Sequence, residues 1–290
     1  MKKTNGEKAF GVLNYLGMIL ITFLILYPFF NQLAMAFSSS SAILNGKVFI
    51  LPVEFTLNTF SDIAKQSAFW SGYKNTVFYT VSGTLISLAM TTLCSYALSK
   101  HTLYGRIVIT KLIVFTMYFS GGLVPFYLLV KSLGMVNTTW ALILPGAIIP
   151  YHVLIMRTYF SQLPEALEEA ASIDGMNQFG YFIRIALPLS KPILATMTLF
   201  CAVIYWNDWF QAVIFLLDNG KYPVTLYLRN IMMGASMAAQ AGQAMDANAR
   251  AVPQSLQAAS MILVIVPVLS VYPFVQKHFV KGVMIGAVKG

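Results

Sequence analysis

The chain has 290 residues, 58% of them hydrophobic and only 10% charged, with a mean hydropathy of +0.70 and a formal net charge of +9. Soluble domains carry roughly 25% charged residues, so a soluble fold is excluded, and apolar runs of about 20 residues exclude the short alternating strands of a membrane barrel. The positive balance does not point to nucleic acid, because Lys and Arg are scattered singly between apolar runs and form no tract that would follow a phosphate backbone.

In chain order, Lys2, Lys3 and Lys8 precede a first apolar run read as a span over residues 12–37. Ala34-Met35-Ala36 offers the small-x-small pattern of a signal-peptide cleavage site, but the run is longer than the usual core of about 7–15 residues and long enough to cross a bilayer. Residues 38–72 are polar and mixed and are expected outside. The second span, 74–99, is rich in Thr, Ser, Gly and Ala, residue types that let helix backbones approach closely in lipid. The third, 109–130, contains Ser120-Gly121-Gly122 and Pro125, the marks of a bent or broken helix. The fourth, 140–160, is weakened early by Pro145, Gly146 and Pro150. The fifth, 193–217, is interrupted by Asn207-Asp208, and the sixth covers 256–275. Residues 218–253, abundant in Gly, Gln, Asn and Ala, read as a long outside loop. The fold class expected is all-α, a polytopic membrane protein of six transmembrane helices forming a single permease domain over 1–290.

Six spans put both termini on one side. Lys2, Lys3, Lys8, Lys100, Arg106, Lys111, Arg157, Arg184, Lys191, Lys277, Lys281 and Lys289 then share that side, against seven of the 19 basic residues opposite. The richer side is cytoplasmic. Residues 161–192 therefore form a cytoplasmic loop. Leu163, Ala166, Leu167, Ala170 and Ile173 follow at helical spacing, with Glu165, Glu168, Glu169 and Ser172 on the opposite face. Pro164 suits a first helical turn, and Gly175 suits a left-handed cap at its end. A second short amphipathic run, 178–186, leads to Leu187-Pro188, and Pro192 opens the next span.

Glu169-Ala170-Ala171, Gly175, Ile185, Leu187 and Pro188 match every position of the pattern EAA-x3-G-x9-I-x-LP. On these residues the chain resembles the permease subunits of bacterial binding-protein-dependent ABC importers. Over nearly its whole length it is similar to the carbohydrate-uptake branch, that of the maltose system's smaller permease and of the complex-oligosaccharide permeases of Gram-positive bacteria. The resemblance implies a type I importer permease of the bacterial plasma membrane. It assigns ATPase coupling to Glu165, Glu168, Glu169, Ala170, Ala171, Asp174, Gly175, Ile185, Leu187 and Pro188. It implies a heterodimer with a second, similar permease, two ATPase subunits that bind ATP and Mg, and an extracellular solute-binding protein that docks on the outside loop 218–253. This chain itself is expected to bind no cofactor. The expected cargo is a sugar or oligosaccharide; a permease for a non-sugar solute and an ion-coupled carrier are the alternatives, the latter requiring inverted repeats that are not evident between the two halves.

The residues agree that ATP chemistry lies elsewhere. Gly46-Lys47 and Gly220-Lys221 lack the flanking glycine of a phosphate-binding loop, and neither GxSxG nor HExxH occurs. Cys94 and Cys201 lie singly in apolar runs, and His101, His152 and His278 are far apart, so neither a disulfide framework nor a metal site is indicated. The glutamates of the cytoplasmic loop sit on a solvated face without a pocket-forming partner, which suits docking rather than general acid–base work. A side chain at Gly175 is expected to push the second short helix off its seat. Asp208 is the one acidic residue placed within a span, where a carboxylate is costly and faces a cavity or a partner. With Tyr205, Trp206, Asn207 and Trp209 it is a candidate lining of the sugar path, or else the polar end of a helix among interfacial tryptophans. Tyr118 and Tyr127 are further candidates on the third span.

Overall fold

The computed structural model describes residues 5–240 and 252–287. Among them every regular element is helical: α1 Asn5–Ala36, α2 Ser40–Leu44, α3 Asn58–Ala64, α4 Ser67–Ser99, α5 Arg106–Tyr118, α6 Leu123–Ser132, α7 Trp140–Ile143, α8 Pro150–Phe160, α9 Glu165–Ile173, α10 Gln178–Tyr181, α11 Leu187–Leu189, α12 Lys191–Trp206, α13 Phe210–Phe215, α14 Val224–Gln240 and α15 Pro253–Ala287. Among the described residues, three stretches are long and apolar enough to cross a membrane as they stand, Phe10–Ala36, Ser67–Ser99 and Pro253–Ser270. Three bent pairs raise the count to six if each is one span. They are α5 with α6 (119°), Trp140–Gly146 with α8 (44°), and Gln178–Leu189 with α12 (81°). The first two breaks fall at the glycines and prolines that weaken these spans; the third falls at Ser190, flanked by Pro188 and Pro192. Gly122 takes φ 83 and ψ 174, a conformation open essentially to glycine alone.

Chain contacts divide the molecule into two compact units. The first comprises Met1–Phe69 and Leu228–Val266. Its helix α1 leaves nearly all its apolar side chains exposed, Leu13 at 73% and Ile19 at 65%. Only its last turns are held: Ala34 and Ala36 are buried, and Asn31 Nδ2 donates to the Phe49 carbonyl at 2.7 Å. Ser39 caps α2 by accepting from the Ala42 N–H, and Glu54 accepts from the hydroxyls of Ser39 and Ser41.

The second unit comprises Trp70–Tyr227 and Pro267–Gly290. Thr76, Thr84, Ser87, Thr91 and Ser95 are all buried along one side of α4, at intervals of three, four and eight. These short side chains bring α8 close enough for Ser95 Oγ to donate to the Val153 carbonyl at 3.1 Å. The ring of Tyr205 occupies the space that two glycines leave empty. A Cβ on Gly83 would lie 2.6 Å from the ring, and one on Gly146 would lie 2.8 Å from its hydroxyl oxygen. That hydroxyl donates to the Ile143 carbonyl at 3.0 Å, satisfying a polar group in a buried side chain.

Asn137 ties the turn after α6 to the end of α13. Its backbone sits at φ 60; its N–H donates to the Phe215 carbonyl at 2.7 Å; its Oδ1 accepts from the N–H groups of Leu217 and Asp218, each at 3.1 Å. Asn tolerates this left-handed conformation better than most residues. Asn137→Ala is expected to lower stability by about 3 kcal/mol, two hydrogen bonds at about 1 kcal/mol each plus about 1 kcal/mol of left-handed backbone strain. Asn137→Gly, which loses the same two hydrogen bonds but carries no left-handed strain, should fall between. Thermal unfolding of the detergent-solubilised variants checks the order, and an alanine variant as stable as wild type would refute the clamp.

The long loop expected over 218–253 is corrected by α14, which occupies Val224–Gln240. Ala, Met and Gln are good helix formers, and Val224, Leu226 and Leu228 are all buried. The Val224 N–H donates to Thr76 Oγ1 at 2.8 Å. Residues 241–251 of that segment lie outside the described residues.

Candidate functional site: the loop over residues 161–192

Helix α9 starts at Glu165, with Pro164 as its N-cap residue at ψ 126 and not, as expected, inside the first turn. It ends in two bonds that define a Schellman turn. The Gly175 N–H reaches the Ser172 carbonyl at 3.0 Å and the Met176 N–H reaches the Ala171 carbonyl at 2.9 Å. Gly175 has φ +77, and a Cβ there would meet nothing within 4 Å. The expected clash is therefore corrected: backbone conformation, not space, demands glycine at 175. Asn177 then caps α10 by accepting from the Gly180 N–H at 2.7 Å. The chain continues through a π-helical turn, Phe182–Ala186, into α11, and bends at Ser190 into α12.

The face that α9 turns inward is not the one its apolar spacing suggests. Ala166, Leu167, Ala170 and Ile173 are exposed, Ile173 at 86%. Ala171 is buried at 5%, in a core with Tyr96, Met156, Phe160, Tyr181, Phe182, Ala186 and Met197. Leu163, Ile185 and Leu187 pack against that core. Glu165, Glu169 and Asp174 are exposed, Asp174 as the C-cap, and Pro188 is exposed as well.

Glu168 corrects the expectation of a uniformly solvated acidic face. It forms an ion pair with Lys100 and accepts from Gln178 Nε2 at 2.9 Å. The Lys100 ammonium also lies 4.6 Å from the ring centre of Tyr96 and 5.0 Å from that of Tyr181, within cation–π range. These groups form one wall of a cleft of about 340 Å³ that Ser99, His101, Glu165 and Glu169 also line. Partial burial pushes the Glu168 carboxyl up. The hydrogen bonds from Lys100 and Gln178, with the Lys100 charge, outweigh it and hold the carboxyl below its ordinary value of 4.5. A carboxylate depressed in the folded state stabilises fully above the unfolded pKa, and that stability is lost as pH falls through the folded one. The difference in melting temperature between wild type and Glu168→Gln should therefore be largest near neutrality and vanish below pH 4.5. A difference independent of pH would contradict the ion pair. Lys100, Tyr96, Tyr181 and Gln178 are not legible in the sequence as part of this site; there Lys100 is only one of the positive residues that orient the chain.

The candidate path residues are only partly gathered. Tyr118 is 78% exposed, while Tyr127 stacks on Phe215 with ring centres 6.0 Å apart. Tyr205 is buried in its glycine slot. Trp206 meets Tyr73 edge-on at 6.2 Å, and Trp209 meets Phe210 at 5.6 Å. Asn207 donates to the Val203 carbonyl at 2.8 Å, ending α12, and Asp208 Oδ1 accepts from the Gln211 N–H at 3.1 Å, opening α13. The polar cluster thus satisfies the two helix ends that face each other across the break.

A family model described as the binding-protein-dependent transport system inner membrane component matches residues 67–285. The chain belongs to this family. It is a multi-pass membrane protein and a transport subunit of an ABC importer, with the type I permease fold. Protein LplC of Bacillus subtilis (strain 168) is 40% identical over 290 residues, 100% of this chain and 98% of that protein. The polygalacturonan/rhamnogalacturonan transport system permease protein YtcP of the same organism is 38% identical over 284 residues, 98% of this chain and 99% of the relative. The crystal structure of a bacterial ABC transporter involved in the import of the acidic polysaccharide alginate superposes with a TM-score of 0.86 at 32% identity, covering 96% of this chain and 99% of that one. The expected all-α permease fold and importer family are thus borne out.

Proposed function

We propose that this permease forms half of the path by which an oligosaccharide enters the cell, delivered by an extracellular binding protein and driven by a separate ATPase. The observation that carries the coupling half of this reading is the outward apolar stripe of α9. Ala166, Leu167, Ala170 and Ile173 stand exposed on a helix that a Schellman turn holds in a cytoplasmic loop. An exposed apolar stripe at the end of a membrane bundle suits a cleft in a soluble partner. ATP and Mg belong to that partner, present in two copies, and a second, similar permease completes the path. Both termini lie in the cytoplasm with α9, a reading that the distribution of Lys and Arg supports.

The cargo assignment rests on the relatives, whose names speak of polygalacturonan, rhamnogalacturonan and alginate. Trp206 and Trp209, beside Asn207 and Asp208, are the groups we assign to the cargo, aromatic faces for sugar C–H surfaces and amide or carboxylate for hydroxyls. The test is affinity purification of the tagged chain from its native membrane, with co-eluting proteins identified by mass spectrometry. A second permease, an ATPase and a lipoprotein that binds oligogalacturonides are expected. Recovery of the chain alone after gentle solubilisation would overturn the reading.

A further inference from the structure

We propose that Lys100 is the positioning residue through which α9 grips the bundle, so that displacement of the cytoplasmic loop reaches α4. The inference rests on the ATPase-coupled reading above. A short helix moved by a partner transmits motion only where it is fastened. Apolar packing fastens α9 weakly: Ala171 is its one buried residue, and a single methyl gives little hold. Its outer stripe, Ala166, Leu167, Ala170 and Ile173, is exposed and so adds little grip on the described residues.

Lys100 supplies the missing fastening. It is the residue immediately after α4, and its ammonium meets three groups at once: the Glu168 carboxylate on α9 and the rings of Tyr96 on α4 and Tyr181 on α10. Side-chain exposure of 21% for Lys100 and 30% for Glu168 shields the pair from full hydration. Gln178 holds the second carboxylate oxygen, so the carboxylate is oriented from both sides. Glu168 also lies in the first turn of α9, where a negative charge is favoured by the helix dipole. The tie therefore joins α4, α9 and α10 at one point.

The test uses the assembled importer in proteoliposomes, with tritiated short oligogalacturonides as cargo and ATP hydrolysis measured in parallel. Lys100→Met is expected to retain the ATPase and its hydrolysis while uptake per ATP falls about five- to ten-fold, the lower range of a coupling between sites. The exchanged pair, Lys100→Glu with Glu168→Lys, re-forms the ion pair without the ring contacts and should restore part of that loss. A second readout needs no cargo. Spin labels at Thr102→Cys and Ser172→Cys, both on the rim of the cleft, should keep one distance when vanadate traps the ATPase, and that distance should spread in Lys100→Met. Unchanged uptake per ATP in Lys100→Met, or a label distance that shifts equally in both proteins, overturns the tie. If wild-type chain recovers no ATPase at all, the coupling reading falls first and the tie with it.

Discussion

Ile173→Asp is expected to release the ATPase while leaving the permease folded. Ile173 is 86% exposed in this chain, so its side chain contributes almost nothing to the permease's own core. It nevertheless ends an apolar stripe whose other large member, Leu167, is 39% exposed. If that stripe seats in the ATPase, a carboxylate at its end must be desolvated without a partner. Truncating an anchor of this kind costs about 2 kcal/mol or more, and a buried charge adds to it. Co-purification of the ATPase should fall at least about ten-fold, with the melting temperature of the permease unchanged. Ala171→Asp is the contrasting variant: a charge at a site only 5% exposed should destabilise the permease itself. Undiminished recovery of the ATPase with Ile173→Asp would show that the partner seats elsewhere.

Gly83→Leu should prevent the chain from accumulating in the membrane. A Cβ alone would approach the Tyr205 ring to 2.6 Å, well inside contact distance, and the ring cannot swing away. Its hydroxyl is held by the Ile143 carbonyl, and Gly146 closes the far side. Even Gly83→Ala is expected to cost about 1–3 kcal/mol by overpacking. Combining Gly83→Leu with Tyr205→Ala should recover part of the yield, because the leucine then fills the slot the ring vacates. Membrane content and thermal unfolding of the single and double variants decide it. Additive losses, with no recovery in the pair, would show that the two residues do not compete for one space.

Much of this architecture is legible in the chain itself. Apolar runs announce the long helices, and the breaks sit where Ser120-Gly121-Gly122, Pro145-Gly146 and Asn207-Asp208 interrupt them. Gly175 is legible as the stop of α9 because a left-handed cap leaves few other choices. The facing of α9 is not. Periodicity identifies an apolar side but not whether it meets the chain's own core or another protein, and here the larger side chains point away. Glu168 and Lys100 are 68 positions apart, so no local pattern links them; tertiary packing, such as that of Tyr96 against Phe182 (ring centres 4.6 Å apart), brings the end of α4 to the loop. Helix α14 was hidden for a different reason. It lies in a segment abundant in Gly, Gln, Asn and Ala that reads as a loop by overall composition, whereas its buried Val224, Leu226 and Leu228 depend on tertiary contacts.

The exposure of α1 has a consequence for how freely the sequence can drift. Among the described residues nothing covers the side chains of residues 10–30, which stay exposed or half-exposed along α1. Its gain from leaving water depends on summed apolar area and little on the shape of any one side chain. Exchanges among Leu, Ile, Phe and Met there should be close to neutral, as shuffled words of equal weight. On α4 the buried Ser87, Thr91 and Ser95 admit no such shuffling, since each is chosen for its size and its hydroxyl. Two helices of nearly equal length thus store very different amounts of information, and a library of random apolar substitutions should erase one and leave the other readable.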